Sequence, residues 1–451
     1  MRRRAGRPAI DVELMRGRPT LTRESFGVLA AVAVVGAVVG LLSAGLRLAA
    51  QSLGSGFAGV DVVWAGSEAL AWTLRAGLGA VAAVVAVWLV VRFAPEAAGS
   101  GVHEIEGALA GDRPLRWRRL LPVKFAGASL SLGSGMALGR EGPTVQMGGN
   151  LGALVADVAR LSGSSRHVLV ASGAAAGLAA AFNAPLAAVI FVMEEMRPQF
   201  QYGFLSIQSV LLAAITADLV TLAIFGDAHQ IETPLLPEVA LGAIWTLGLF
   251  GIAVGAVGVV FGRALVGGLD RVDGLGTRGR LSLAAAVGAA IGVASFWDSR
   301  VIGGGYEIIH TALTSTLTLG GLCMLFLVRF ALTIGSYSTG APGGIFAPML
   351  ALGTLLGIAF GVTLESTAPG LVVAPGIFAV AGMAAFFAAT VRAPLTGIAL
   401  AIEMTGDLAQ LVPILIACLA ATLTAEALGG RPIYEILLER TLARARAADG
   451  P

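Results

Sequence analysis

Eleven apolar runs dominate the chain, at 26–50, 69–93, 120–138, 168–193, 203–225, 238–266, 281–297, 319–335, 344–363, 371–391 and 410–427. Each approaches the ~20 residues that carry a helix across a bilayer core. A backbone in lipid has no water to bond with, so its N–H and C=O groups must be satisfied inside helices or a closed barrel. Runs of this length predict helices. With 56% hydrophobic residues against 13% charged, little of the 451-residue chain is left for an aqueous domain. Many runs are short or interrupted, and the 62 glycines and 18 prolines fall inside them as well as between them. The fold class expected is therefore an all-α polytopic membrane protein whose helices are tilted and broken.

Charge placement orients the chain. Residues 1–23 carry Arg2, Arg3, Arg4, Arg7, Arg16, Arg18 and Arg23, and the tail carries Arg440, Arg444 and Arg446. The positive-inside rule puts both termini in the cytoplasm, together with the basic loop 112–124. The apolar run after the N-terminal arginines is too long for a cleaved signal peptide, and no small-residue cleavage site interrupts it. Cys323 and Cys418 both lie in apolar runs, and His103, His167, His229 and His310 form no ligand pattern, so no metal, disulfide or cofactor is expected.

The chain repeats itself. GAAAGLAAAFNAPLAAVIFVMEEM (173–196) aligns without a gap on GMAAFFAATVRAPLTGIALAIEMT (382–405). Gly173 meets Gly382, Ala184-Pro185-Leu186 meets Ala393-Pro394-Leu395, and Glu194 meets Glu403. This predicts that roughly 20–225 is duplicated as 235–430. The expected division is a cytoplasmic segment 1–24, a first repeat 25–230, a second repeat 231–440 and a short cytoplasmic tail 441–451. Duplicated halves are typical of transporters, which hold substrate near the midplane between broken helices.

Four glycine-rich loops fit that pattern: 97–109, 138–145, 338–349 and 429–437. Each precedes a renewed helical pattern. The first N–H groups of a helix have no partner within it and sit at the positive end of its dipole. Several converging starts would bind an anion through partial charges, weakly enough for transit, where a buried lysine or arginine would grip it too tightly.

Four separated motifs in these loops resemble those of the CLC family of chloride channels and chloride/proton exchangers, in its bacterial form. The family's GSGIP corresponds to Gly99-Ser100-Gly101-Val102-His103, and GREGP to Gly139-Arg140-Glu141-Gly142-Pro143. Its GxFxP corresponds to Gly344-Ile345-Phe346-Ala347-Pro348, and its late tyrosine to Tyr434 in GGRPIYEIL. The likeness spans about 25–440. It implies a CLC fold of two inverted-topology repeats in a bacterial inner membrane, without the cytoplasmic CBS pair. It further implies a homodimer with one pathway per subunit.

By the same resemblance, the hydroxyls of Ser100 and Tyr434 and the backbone amides of Ile345 and Phe346 bind chloride. Glu141 is the external gating glutamate, a tethered carboxylate that competes with the anion when ionised and swings away when protonated. Arg140 anchors that loop. Glu195 matches the internal proton-transfer glutamate, with Glu194 beside it in a pair that can take up a proton. Channel members usually lack an acid there, so the reading favours H+/Cl− exchange over a passive channel of the same fold. Exchange of fluoride or nitrate is the other alternative, and Ser100 argues for chloride. His103 replaces the family's proline, which makes it either a tolerated change or a sensor of internal pH.

Other charged residues are expected to be structural. Glu104 and Glu106 suit a helix start, Glu403 mirrors Glu194, and Lys124, Arg329 and Arg392 are paired or snorkelling. HEIEG (103–107) has no second histidine one turn later, and no Walker loop occurs, so neither a zinc enzyme nor an ATP-driven pump is expected. Chloride, protons and lipid are the partners; nucleic acid is not.

Overall fold

The apolar runs do become helices. The computed structural model describes residues 23–448 apart from 65–67, 198–199, 201, 227–230, 232–235, 315–316, 370 and 372. Of the basic N-terminal segment, only Arg23 is included; the other arginines lie outside the described residues. Seventeen α-helices follow in order. The first half runs α1 (Arg23–Trp64), α2 (Glu68–Phe93), α3 (Val102–Leu109), α4 (Trp117–Gly133), α5 (Glu141–Val158), α6 (Gly163–Phe182), α7 (Pro185–Glu194) and α8 (Phe204–Phe225). The second runs α9 (Trp245–Asp273), α10 (Thr277–Trp297), α11 (Tyr306–Thr314), α12 (Leu319–Ser338), α13 (Phe346–Thr367), α14 (Pro375–Val391), α15 (Pro394–Thr405) and α16 (Leu411–Ala427). The last, α17 (Ile433–Ala448), follows the final glycine loop. Among the described residues there is no strand, only one isolated bridge between Gly139 and Gly344.

Eight of these helices are long and apolar enough to cross a membrane, and three shorter apolar ones accompany them. Three of the eleven runs give no helix of that kind: 120–138 becomes α4 and 371–391 becomes α14, each 17 residues long, and the third is divided. The run 168–193 is two helices, because Asn183 adopts the left-handed conformation (φ 54°) that ends α6, and Pro185 opens α7. Asparagine tolerates that conformation, and proline suits a first helical turn because its missing N–H would have no partner there. The second half breaks alike at Arg392 (φ 72°) and Pro394.

Glycines let the helices cross at backbone contact. A Cβ added to Gly148 on α5 would sit 2.1 Å from the carbonyl oxygen of Gly173 on α6. The same crossing recurs between α13 and α14, where a Cβ on Gly353 would lie 2.1 Å from the oxygen of Gly382. Likewise Gly36 and Gly40 of α1 lie against Ala213 and Ala217 of α8, as Gly251 and Gly255 of α9 lie against Ala417 and Ala421 of α16. Close packing of small residues replaces the hydrophobic drive that lipid does not supply. Gly353→Val should therefore lower the melting temperature in detergent sharply, by the equivalent of ~1–3 kcal/mol or more for forced overpacking; an unchanged melt would contradict the crossing.

The outward faces are apolar too. Val34 and Leu41 on α1, Val81 on α2, Leu219 on α8, Val260 on α9, Leu327 on α12 and Leu419 on α16 are all exposed. Such a surface suits lipid. The interior around the four glycine loops is where the polar side chains collect, and that arrangement positions the site.

Candidate functional site

The loops before α3, α5 and α13 are laced together by their own backbones. Gly139 N–H donates to Gly344 O at 2.8 Å and Gly344 N–H to Gly139 O at 2.7 Å, while Gly343 N–H donates to Gly99 O at 3.0 Å. The bonds bring the start of α5, with Glu141 as first residue, beside the start of α13, with Ile345 as cap and Phe346 first. Leading N–H groups of several helices thus gather in one buried place.

α17 brings in Tyr434, whose ring stacks on Phe346 with centroids 5.8 Å apart. Phe346 in turn packs against Phe182, Phe191 and Phe387, so the wall here is apolar. Ser100 and Tyr434 are fully buried. Their hydroxyls lie close to each other, and neither has a hydrogen-bond partner among the described residues. Buried hydroxyls almost always find a partner. Both sit beside the helix starts of α3 and α13, against the apolar wall around Phe346.

Glu141 is fully buried beside them. Its Oε1 accepts a hydrogen bond from the Tyr306 hydroxyl at 2.8 Å, while Oε2 has no partner. The flanking glycines are required by space: a Cβ at Gly139 would lie 1.9 Å from Glu141 Oε2, and one at Gly142 would lie 2.4 Å from Ser100 Oγ. Arg140 turns toward α6, donating to Ala181 O through Nε (3.1 Å) and Nη2 (2.6 Å). Its guanidinium also lies 5.5 Å over the Tyr306 ring. These bonds to Ala181 tie the loop to α6.

Three further cations act on backbone carbonyls. Lys124 Nζ donates to Ala97 O (3.0 Å), Gly99 O (2.7 Å) and Ser100 O (3.2 Å). Arg329 donates to Arg300 O (3.4 Å), Ile302 O (3.0 Å) and Gly303 O (2.7 Å). Arg392 donates to Thr422 O (3.1 Å), to Gly430 O (2.7 Å) just before Tyr434, and to Glu426 Oε2 (2.9 Å). Lys124 and Arg329 are wholly shielded from solvent, so neither snorkels. In a trans peptide the C=O and the next N–H point in opposite directions. Tying the carbonyls of Gly99 and Ser100 to Lys124 therefore turns the N–H groups of Ser100 and Gly101 the other way.

Glu195 stands half-buried at the end of α7. Its electrostatic neighbours are Glu106, Glu194 and Glu435. The two matched glutamates of the repeat exchange places. Glu194, on α7, accepts from Leu395 N (3.1 Å), Thr396 N (2.8 Å) and Thr396 Oγ1 (2.8 Å) at the start of α15. Glu403, on α15, accepts from Leu186 N (2.9 Å) and Ala187 N (2.7 Å) at the start of α7. Each helix thus ends in the carboxylate that caps the other. Glu194 is engaged at both oxygens, which sets its surroundings apart from those of Glu195.

Glu104 pairs with Arg113 at 2.9 Å. Glu106 behaves otherwise: it is buried and its Oε1 has no partner. Its acidic neighbours are Glu195 at the end of α7 and Glu435 on α17, which no local pattern in the sequence brings together. His103 is also buried, with Nδ1 unpartnered. It lines an inner cavity with Asp273, Tyr337, Thr339, Arg440 and Arg444.

Residues 79–426 match the family model described as voltage gated chloride channel. The chain is 48% identical over 382 residues to the H(+)/Cl(-) exchange transporter ClcA of Cronobacter sakazakii, covering 84% of this chain and 82% of the relative. It is 45% identical over 425 residues to the ClcA of Vibrio parahaemolyticus, covering 92% and 90%. Among solved structures, a slow cyanobacterial Cl−/H+ antiporter superposes with TM-score 0.89 at 40% identity, over 92% of this chain and 98% of that one. A CLC-type fluoride/proton antiporter superposes at TM-score 0.73 and 21% identity, over 91% and 98%, a likeness of fold alone. The unpartnered hydroxyls, the buried carboxylate at the start of α5 and the laced glycine loops thus belong to a member of the voltage-gated chloride channel family, with the CLC fold of two inverted-topology repeats.

Proposed function

We propose that this chain is an H+/Cl− exchange transporter, moving chloride across the membrane in exchange for protons. The observation that carries the reading is a buried carboxylate, Glu141, set against two unpartnered hydroxyls at converging helix starts, with a second acidic group at Glu195 beyond them. Chloride is held by the hydroxyls of Ser100 and Tyr434 and by the amides of Ile345 and Phe346. Glu141 is the gate. Ionised, it occupies an anion position at the start of α5; protonated, it leaves and frees that position.

Protons reach Glu141 from the cytoplasmic side through Glu195. Glu194 serves this route by holding the end of α7 to α15, and Arg140 by fixing the gate loop. Both ends of the chain face the cytoplasm of a bacterium, across its inner membrane, and two copies form a homodimer with a pathway in each. No cofactor enters the cycle, and the chain carries out transport, not catalysis.

The test is proton movement driven by a chloride gradient. In liposomes holding the purified protein, a chloride gradient should drive protons against their own balance; chloride flux without any proton flux would make the protein a channel. Glu195→Gln should keep chloride flux within about threefold of the parent while proton flux falls at least tenfold, as expected when one proton carrier in a relay is lost. Equal proton flux in that variant would remove Glu195 from the route.

A further inference from the structure

The exchange reading assigns Glu141 its role and says nothing of what holds the carboxylate in place. One side chain does so directly, and it comes from the other half of the chain. Tyr306 is the first residue of α11, and its hydroxyl donates to Glu141 Oε1 at 2.8 Å. The ring is half-buried. It lines a broad cavity with Gly135, Ser299, Ile302 and Glu307, so it stands between that cavity and the gate.

The ring is held in place. Gly303 and Gly305, both with positive φ (64° and 100°), turn the backbone into α11. Arg329 fastens this turn through the carbonyls of Arg300, Ile302 and Gly303, and a Cβ on Gly305 would lie 2.5 Å from its guanidinium. From the other face, Arg140 lies over the ring. A buried cation, a glycine turn and a stacked guanidinium thus leave the phenol little freedom except to point at the carboxylate.

We propose that Tyr306 is a latch on the gating carboxylate: its hydroxyl holds ionised Glu141 in the docked position and so sets how readily the gate opens from the cavity side. This rests on the exchange reading above. A hydroxyl bonded to a charged carboxylate is held more strongly than one bonded to a neutral acid, so the latch favours the docked, ionised state. Opening requires protonation or loss of this bond. Tyr306 is a positioning residue in this scheme, acting on the anion only through Glu141.

The charged and polar groups around the carboxylate are few. Arg140 and the Glu141 N–H stand on its own element, the Ala347 N–H comes from α13, Tyr306 from α11 with Arg47 of α1 near that phenol, and the Ser100 hydroxyl lies in the loop before α3. Tyr306→Phe changes one of them. The phenyl ring keeps the stack under Arg140 and the fit beside the glycine turn, while the donor is gone. Ionised Glu141 is then less well held, so protonation releases it at lower proton concentration.

The experiment measures chloride flux against external pH in liposomes for the parent, Tyr306→Phe, Glu141→Gln and the double variant, with melting temperature in detergent as a check on folding. Tyr306→Phe is expected to move the midpoint of the pH profile upward by about one unit, the worth of one hydrogen bond to a charged group. In the Glu141→Gln background the same change should move no pH midpoint, since the amide has no ionised state for the hydroxyl to favour. An unmoved midpoint, or an equal effect in both backgrounds, would overturn the latch. A parent that moves no protons would instead sink the exchange reading, so the two failures are told apart.

Discussion

Glu141→Gln is expected to abolish proton movement and leave a chloride flux that no longer responds to pH. The amide has nearly the size of the carboxylate but cannot ionise, so the tethered competitor is lost and with it the group that carries the proton at the gate. Tyr306 can still donate to the amide oxygen, and Gly139 still leaves room for the side chain, so the fold should survive. Chloride and proton fluxes recorded together in liposomes give the measure. Proton flux should fall to that of protein-free vesicles, a loss of at least tenfold, while chloride flux varies less than twofold between pH 4.5 and 7.5, on the order expected once the only gating titration is removed. Proton transport equal to the parent would refute the role given to Glu141.

Lys124→Met should damage both stability and chloride binding. Methionine fills the space of the stem but leaves the carbonyls of Ala97, Gly99 and Ser100 without their shared donor. Each buried acceptor left unpaired costs about 1–3 kcal/mol, and breaking a buried charged contact commonly costs about 3–5 kcal/mol in all. The freed loop should also let Ser100 turn, weakening chloride binding about tenfold or more, the equivalent of ~1.4 kcal/mol. Thermal unfolding in detergent and calorimetric titration with chloride measure the two effects separately. A variant with the parent's melt and affinity would show that the lysine does not brace the site.

How far the sequence could be read depends on where each partner lies. Glu141, Ser100, Phe346 and Tyr434 stand out in the sequence because each lies in or just after a short glycine-rich stretch, a signal contained in a few residues. The division of 168–193 does not, since apolar residues continue through Asn183 and a hydropathy reading cannot register one left-handed residue. α5 and α11 were missed as apolar runs because their first turns carry the polar groups of the site.

Long-range partners left no local trace. Lys124 and Arg329 bind carbonyls, which every residue has, so no pattern could distinguish clamping from snorkelling. Tyr306 lies 165 residues from Glu141, and only folding joins them. The repeat alignment did pair Glu194 with Glu403, yet their exchange of caps between α7 and α15 needs three dimensions to appear.

The paired bonds between Gly139 and Gly344 constrain how such a protein can alternate its access. Many transporters with duplicated halves rock one half against the other around the substrate. Here the halves are stitched backbone to backbone at the very centre, and each rocking stroke would have to tear both stitches in a dry interior. On the exchange reading proposed above, the conformational cycle then falls to side chains, chiefly one swinging carboxylate.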